Sequence, residues 1–599
     1  MTQRLRRLDP AINAGYPREV TTPPPPRPDA PVELAYAAQL PVDAPGVDAP
    51  AADDALSEAS IDTERVLPQP KRSGMLRSSA IFSGLTLVSR FMGFLRDQVI
   101  TYRLGASVTV AADAYNTALA FPNLFRRIFA EGAFATAFVP AYARSLAKDG
   151  EEVADVLAAD AMATLAAATI VITVAAQLAM PWLMYVINPG YAADPAKFKL
   201  AVTLTQITMP YLPCMAIYAH LSGVLQARGR FIFSALAPTL LNLVMLAAVW
   251  PQKDSILAAY AASAAVIVAG ICQAALLWWG VNRSGARVDL RWPRLTPEIK
   301  QLIALAVPGA VAASATQINI FISGMLASQV NGARSWLAVA DRLYQLPLGL
   351  VGVAIGVALL PRLSTTVHQK DEAGAQDAMD EAIALSLAFS LPAAAALVCM
   401  PYFLIDALFT RGAFHHVDAV ATAQALFHYG WGTPAFVLAR ILNQAFFARQ
   451  DTKTPMRFAL ISVGTNIVLG VTLFWLVGFQ GIAAATAIAA WLNVAQMTVT
   501  LIRRGHYQPS SATVSRLLRL LSASMILGVF LGLASYFRAD LQPYLLGRKE
   551  IALVLAVGLG GLLYLVLLFG LKAVTVAEVR GALRRQPKPA GVESADLGS

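Results

Sequence analysis

The chain is 599 residues long, 57% hydrophobic and only 14% charged, with a mean hydropathy of +0.56. That is far too apolar for a soluble protein of this length and defines a polytopic membrane protein. The net charge of +10 does not imply nucleic acid, because the basic residues fall in short runs between apolar segments, the pattern that sets membrane topology.

Residues 1–74 are rich in Pro and Ala, include PPPPRPDAP and hold few aromatics. They read as a disordered cytoplasmic tail, since such a composition buries too little apolar surface to offset ordering entropy. The alternative is a start at Met75, immediately before the first membrane helix. Fourteen apolar segments follow, near 76–103, 108–140, 154–187, 197–226, 231–251, 256–281, 299–329, 335–361, 376–400, 416–448, 455–478, 481–502, 513–537 and 550–572. Several exceed the roughly 20 residues a bilayer needs and are expected to tilt or protrude.

The loops on one side carry about twice as many Lys and Arg as those on the other, including Arg144, Lys148, Arg228, Arg283, Arg449 and Arg503. The positive-inside rule then puts both termini in the cytoplasm. The punctuation repeats after about 220 residues, pairing Ala112-Asp113 with Ala340-Asp341, Pro122 with Pro347, Pro140 with Pro361, and Asn242 with Asn466. Odd helices match odd helices, so the copies share orientation. The expected fold is an all-α polytopic membrane protein of fourteen transmembrane helices, in two six-helix lobes plus two extra C-terminal helices. The divisions are 75–282 (N-lobe), 283–298 (cytoplasmic linker), 299–503 (C-lobe), 504–573 (helices thirteen and fourteen) and 574–599 (cytoplasmic C-terminal tail).

The first two segments carry Arg90, Arg96, Asp97, Asp113, Arg126, Arg127 and Glu131. Ions at membrane depth are costly and normally face a watery cavity or a partner. Arg90 and Asp97 are two turns apart on one face, with Arg96 rotated toward the next. Asn123, Arg126 and Arg127 lie within one turn after Pro122, Arg127 and Glu131 form an i, i+4 pair, and Asp341 with Arg342 is the charge entry of the second lobe. Facing one another, Arg90, Arg96, Arg126 and Arg342 form a cationic cluster steadied by carboxylates. Arginine forks match phosphate oxygens bidentately, so the implied ligand is a phosphate or diphosphate.

Plainer readings stand beside this one. Arg126 and Arg127 suit a cytoplasmic helix end, Arg96 with Asp97 suits a structural pair, and Asp113 and Asp341 suit helix caps. Pro122, Pro210, Pro213, Pro347 and Pro434 read equally as static kinks or hinges. His415 and His416 lack metal-ligand spacing and read as surface residues. Trp278, Trp279 and Trp292 suit one interfacial belt, and Trp250 and Trp336 the other. Cys214, Cys272 and Cys399 lie in apolar segments without CxxC spacing, and no Walker loop or GxSxG occurs. These patterns point away from disulfides, zinc and hydrolytic chemistry.

The runs SRFMGFLRD, AFPNLFRRIFAEGAFATAFVP, VADRLYQLPLGLVGVAIGVALLP and FFARQDTKTP resemble the MurJ (MviN) family of lipid II flippases, within the multidrug/oligosaccharidyl-lipid/polysaccharide exporter superfamily. The resemblance runs from about Met75 to about Lys572 and leaves out the Pro-rich tail. It implies two lobes forming a V around a central cavity, with helices thirteen and fourteen as a groove for a lipid tail. It carries substrate-binding arginines onto Arg90, Arg96, Arg126 and Arg342 and acidic positions onto Asp97, Asp113, Glu131 and Asp341; these acidic residues, with Asn123 and Arg127 from the spacing above, are expected to support or gate.

The implied activity is transport, not catalysis: translocation of undecaprenyl-diphosphate-linked peptidoglycan precursor across a bacterial inner membrane by alternating access, for cell wall biogenesis. The alternative is export of another polyprenyl-linked oligosaccharide. Expected partners are lipid II, membrane lipids and cell-wall synthesis or division proteins. No cofactor or metal is expected, and the drive is membrane potential or a coupling ion. Some members resemble sodium-binding transporters through acidic residues in helices seven and eleven. Those positions here offer Gln317, Asn319 and Asn466, which puts a conventional sodium site in doubt.

Overall fold

The chain divides into Met1–Pro70 and Lys71–Ser599. A computed structural model describes residues 72–125, 127, 134–545 and 547–574, all within the second unit. Residues 1–71 of the expected tail therefore lie outside the described residues, as do Arg126 and Glu131, whereas residues 72–74 already belong to the first helix.

Among the described residues the regular structure is helical. The first half holds α1 (Arg72–Leu104), α2 (Val110–Phe125), α3 (Phe134–Lys148), α4 (Glu151–Ile187), α5 (Pro195–Thr208), α6 (Tyr211–Ala227), α7 (Ile232–Val249) and α8 (Ser255–Arg283). The second half follows with α9 (Pro297–Ala327), α10 (Ala333–His368), α11 (Glu372–Cys399), α12 (Pro401–Phe409), α13 (His416–Phe447), α14 (Lys453–Val477) and α15 (Gln480–Arg503). Then come α16 (Ser511–Tyr536), α17 (Arg538–Leu541) and α18 (Lys549–Gly570).

Each of the fourteen predicted segments overlaps a helix, and nine spans are long and apolar enough to cross a membrane among the described residues. The differences are local. The fourth predicted segment is two helices, because the ring of Pro210 supplies no N–H to continue α5 and instead stands as the N-cap of α6. The second segment is α2 and α3, with Pro122 inside the first and Pro140 inside the second. The short helix α12 was not anticipated; Pro401 opens it, where a fixed φ suits a first turn.

Polar side chains start the helices where the sequence puts them. Asp194 accepts from the backbone N–H groups of Ala196 and Lys197 at 3.0 and 3.1 Å, Asp254 from Leu257 at 2.8 Å, and Ser510 from Thr513 at 3.1 Å. Each satisfies donors that have no partner inside the helix.

In the first half α1 packs on α7 and α2 on α5, and in the second α9 packs on α14 and α10 on α13. Helix α16 lies on α11 and α18. Helix α9 belongs to two cores. Its start, Ile299 and Leu302, is buried with Phe138, Tyr142 and the linker residues Ala286 and Val288, whereas its end, Leu326 and Ala327, is buried with Trp336 and Phe409. The linker is pinned to the first half: Asp155 accepts from Arg287 N at 2.7 Å and from Arg228 at 3.0 Å.

Candidate functional site

Helix α1 carries its ions into the centre of the bundle, where they meet residues of both halves. Arg96 donates to the Asp97 carboxylate at 2.7 Å and to Asn242 Oδ1 on α7 at 3.0 Å. Asn242 in turn donates to the Ser89 carbonyl at 3.0 Å, so its orientation is fixed from both sides. The other oxygen of Asp97 pairs with Arg342 Nε on α10 at 3.3 Å. One carboxylate thus ties two guanidinium groups, one from each half, and partly neutralises them. The structural pair and the cavity charge are the same residues.

These groups border a cavity of about 350 Å³ lined also by Tyr115, Asn116, Asn123, Tyr211 and Gln273. A second cavity of about 460 Å³ shares Asn116, Asn123 and Ala338 with it, and adds Arg127, Asp341 and Gln317. Arg90 reaches α10 differently: a Cβ at Gly349 would coincide with its guanidinium, so glycine is what lets the cation approach that helix. Arg342 is the more open of the two guanidinium groups, its side chain 56% exposed against 14% for Arg96. An anion entering the space therefore meets a fixed guanidinium and a freer one.

The end of the bundle where α1 stops and α2, α10 and α13 begin is closed by a clasp. Asp113, fully buried, pairs with Lys197 at 2.6 Å and accepts from Gly332 N at 2.9 Å and from Ser335 N and Oγ at 3.0 and 2.7 Å. It therefore caps α10 of the other half rather than its own helix, because α2 opens three residues earlier and presents the carboxylate outward to that neighbour.

From the second half Asp418 reaches back. It accepts from Ser107 N at 3.0 Å and Trp336 Nε1 at 2.9 Å while holding His415 N at 3.0 Å in a capping box. Asn331 bridges the two aspartate sites, accepting from Lys197 at 3.0 Å and donating to the Ser107 carbonyl at 2.8 Å. Gly332 sits at φ 85, and a Cβ there would run into Ser107 and Trp336, so the position demands glycine twice over. Arg334 completes the seam by donating to Asn188.

Several residues stand where the sequence did not put them. Trp336, expected in an interfacial belt, is 7% exposed and part of the clasp, because its indole N–H is consumed by a buried carboxylate. Trp250, Trp279 and Trp292 are exposed. Asp341 accepts from Gln345 one turn on and faces the second cavity. Asn466 donates to Asn319 Oδ1 at 3.0 Å, and Thr486 to Asn466 Oδ1 at 3.4 Å, so the amides of α9 and α14 engage one another. Sequence reasoning missed Lys197, Ser107, Asn331 and Asp418 as a unit. Lys197 meets Asp113 across 84 residues and Ser107 meets Asp418 across 311, and nothing in local spacing signals that.

An all-helical, multi-pass membrane protein with charges gathered between two halves has the architecture of a transporter. Its fold matches a solved lipid II flippase MurJ in an inward closed conformation, with TM-score 0.67, 23% identity, and coverage of 84% of this chain and 100% of that one. It also matches an inward-facing multidrug resistance MATE family transporter of the MOP superfamily, with TM-score 0.59, 14% identity, and 74% and 98% coverage.

The family model for lipid II flippase MurJ matches residues 100–549. A probable lipid II flippase MurJ from Rhizobium tropici is 39% identical over 520 residues, covering 85% of this chain and 96% of the relative. One from Rhizobium meliloti is 37% identical over 536 residues, covering 88% and 99%. The chain belongs to the MurJ lipid II flippase family.

Proposed function

We propose that this protein is a lipid II flippase, a transporter rather than an enzyme, which moves the diphosphate-linked peptidoglycan precursor from the cytoplasmic to the outer leaflet. The observation that carries the mechanism is the Arg96–Asp97–Arg342 chain, in which cations from both halves meet over a cavity inside an apolar bundle. A diphosphate replaces Asp97 as the partner of the freer Arg342, exchanging one anion for another without leaving a guanidinium bare. Arg90, lying against Gly349 of α10, adds positive charge on the same helix as Arg96, and Arg126, outside the described residues, is a further candidate on sequence grounds.

The clasp lies at the end opposite the Arg-rich loops, so with both termini cytoplasmic this conformation is closed to the outside. Translocation then consists of loading from the cytoplasm, breaking the clasp and opening outward. The polyprenyl chain stays in lipid beside α16 and α18, whose outer faces expose Leu518, Met525, Val529, Val554 and Leu562. Membrane potential supplies a drive without a coupling ion. Two negative charges moved outward through 100 mV release about 4 to 5 kcal/mol, at roughly 2.3 kcal/mol per charge. The empty cavity, with more cations than carboxylates, is drawn back by the same field. Cell-wall synthesis or division proteins are the partners such a supply of precursor would serve.

The test is the exposure of lipid II at the outer face of cells depleted of their own flippase and complemented with the full chain, wild type or Arg96→Ala. Wild type is expected to restore exposure and the variant, at equal abundance in the membrane, to fail. Equal restoration by both would move the binding site away from α1. Failure of a correctly inserted wild type would reopen the identity of the cargo.

A further inference from the structure

Two residues that line the cavity bordered by Arg96 each carry a polar atom that the protein leaves unanswered. The Tyr115 hydroxyl and the Gln273 amide oxygen are both buried without a hydrogen-bond partner, and both residues, each 2% exposed, line that cavity. A buried polar group without a partner costs about 1 to 3 kcal/mol, so two in one cavity are an expense that a ligand would relieve.

Gln273 is not free to turn away, because its Nε2 donates to the Ala237 carbonyl at 2.9 Å and so holds the amide oxygen in place as an acceptor. Beside them lie Leu119, Met215, Leu241, Met245 and Val266, an apolar lining with room for a small alkyl group. The set is an acceptor, a hydroxyl that donates or accepts, and an apolar wall. It is complementary to a secondary amide carrying a short alkyl group, whose N–H meets Gln273 Oε1 and whose carbonyl meets the Tyr115 hydroxyl.

We infer that this cavity in the first half is an amide-recognising subsite, filled by the acylamino group of a sugar or by an amide of the peptide stem of the cargo whose diphosphate rests at Arg96. The inference rests on the lipid II reading given above. Arg96 supplies affinity for the anion, whereas Tyr115 and Gln273 distinguish the headgroup attached to it. A cargo without an amide leaves both atoms unpaired, which is how a buried polar site rejects an analogue.

The experiment measures binding of three probes to the purified full-length protein: undecaprenyl diphosphate, undecaprenyl diphosphate bearing a single N-acetylated sugar, and lipid II. Tyr115→Phe removes one oxygen that bonds to nothing in the protein, so it leaves the fold intact, and Gln273→Met is the second variant. Each is expected to weaken the N-acetylated sugar probe and lipid II roughly five- to tenfold, with undecaprenyl diphosphate unchanged. Weakening confined to lipid II assigns the same subsite to the peptide stem. Equal weakening of all three probes, or of none, overturns the proposal. Wild-type protein that binds none of them removes the lipid II reading itself and the subsite with it.

Discussion

The two halves place the same pair of helices in the same contact and fill it differently. In the first, Arg96 of α1 meets Asn242 of α7, 146 residues on; in the second, Asn319 of α9 meets Asn466 of α14, 147 residues on. One contact holds a cation and the other is neutral. A repeat therefore supplies the scaffold twice, and the cation of this contact is written into one copy. The clasp has the same asymmetry. Each half contributes an aspartate, but Asp113 holds an ion pair with Lys197, whereas Asp418 accepts from Ser107, Trp336 and the His415 backbone.

The largest effect is expected where the charged copy is broken. Arg96→Ala leaves Asp97 and Asn242 without their shared donor, a loss of about 3 kcal/mol or roughly a hundredfold, read as the rate of lipid II appearance at the outer face. Arg96→Lys is expected to recover only part of it, since a point charge cannot span Asp97 and Asn242 as the guanidinium fork does.

Next comes the clasp. Asp113→Asn removes the partner of a buried Lys197 and is expected to destabilise the outward-closed state by about 2 kcal/mol, roughly thirtyfold in population. The measurement is labelling of an Ala338→Cys reporter by an impermeant thiol reagent added outside, with the three native cysteines replaced. Asp418→Asn breaks no ion pair and should raise labelling less; an equal rise from both would erase the distinction between the two aspartates.

A smaller contrast separates the asparagines. Asn242→Leu frees Arg96 to swing and should slow transport more than about tenfold, whereas Asn466→Leu removes a neutral bond worth about 1 kcal/mol and should stay within about fivefold. Matching losses would mean that both contacts serve only packing. Smallest of all, removal of residues 1–70 should leave transport unchanged, since the family match begins at residue 100. A loss of transport at equal membrane abundance would give the tail a share in the mechanism.

Much of the fold was legible because a bilayer imposes one rule on every crossing segment: backbone groups must bond within the segment, and side chains must be apolar unless they face something polar. Run length placed the helices, and Asp194, Asp254, Thr296, Asp371 and Ser510 stand as helix N-caps whose side chains take the first free N–H groups. The cost of charge in lipid singled out Arg90, Arg96, Asp97 and Arg342 without any alignment. The same rule could not tell a cavity ion from a clasp ion, which is why Asp113 read equally well as a cap for its own helix. Lys197 counted only as a loop charge, and Trp336 as an interfacial anchor.

The sequence by itself determined that this is a repeated helical membrane protein with cations carried on its first helices, because hydrophobic run length and the price of a charge are properties of the segment alone. Only the tertiary structure decided which carboxylate neutralises which cation. That choice depends on distances between residues far apart in the chain, such as Asp97 to Arg342 at 3.3 Å and Asp113 to Lys197 at 2.6 Å. An ion's role in a low-dielectric interior is set by its nearest partner rather than by its neighbours in sequence.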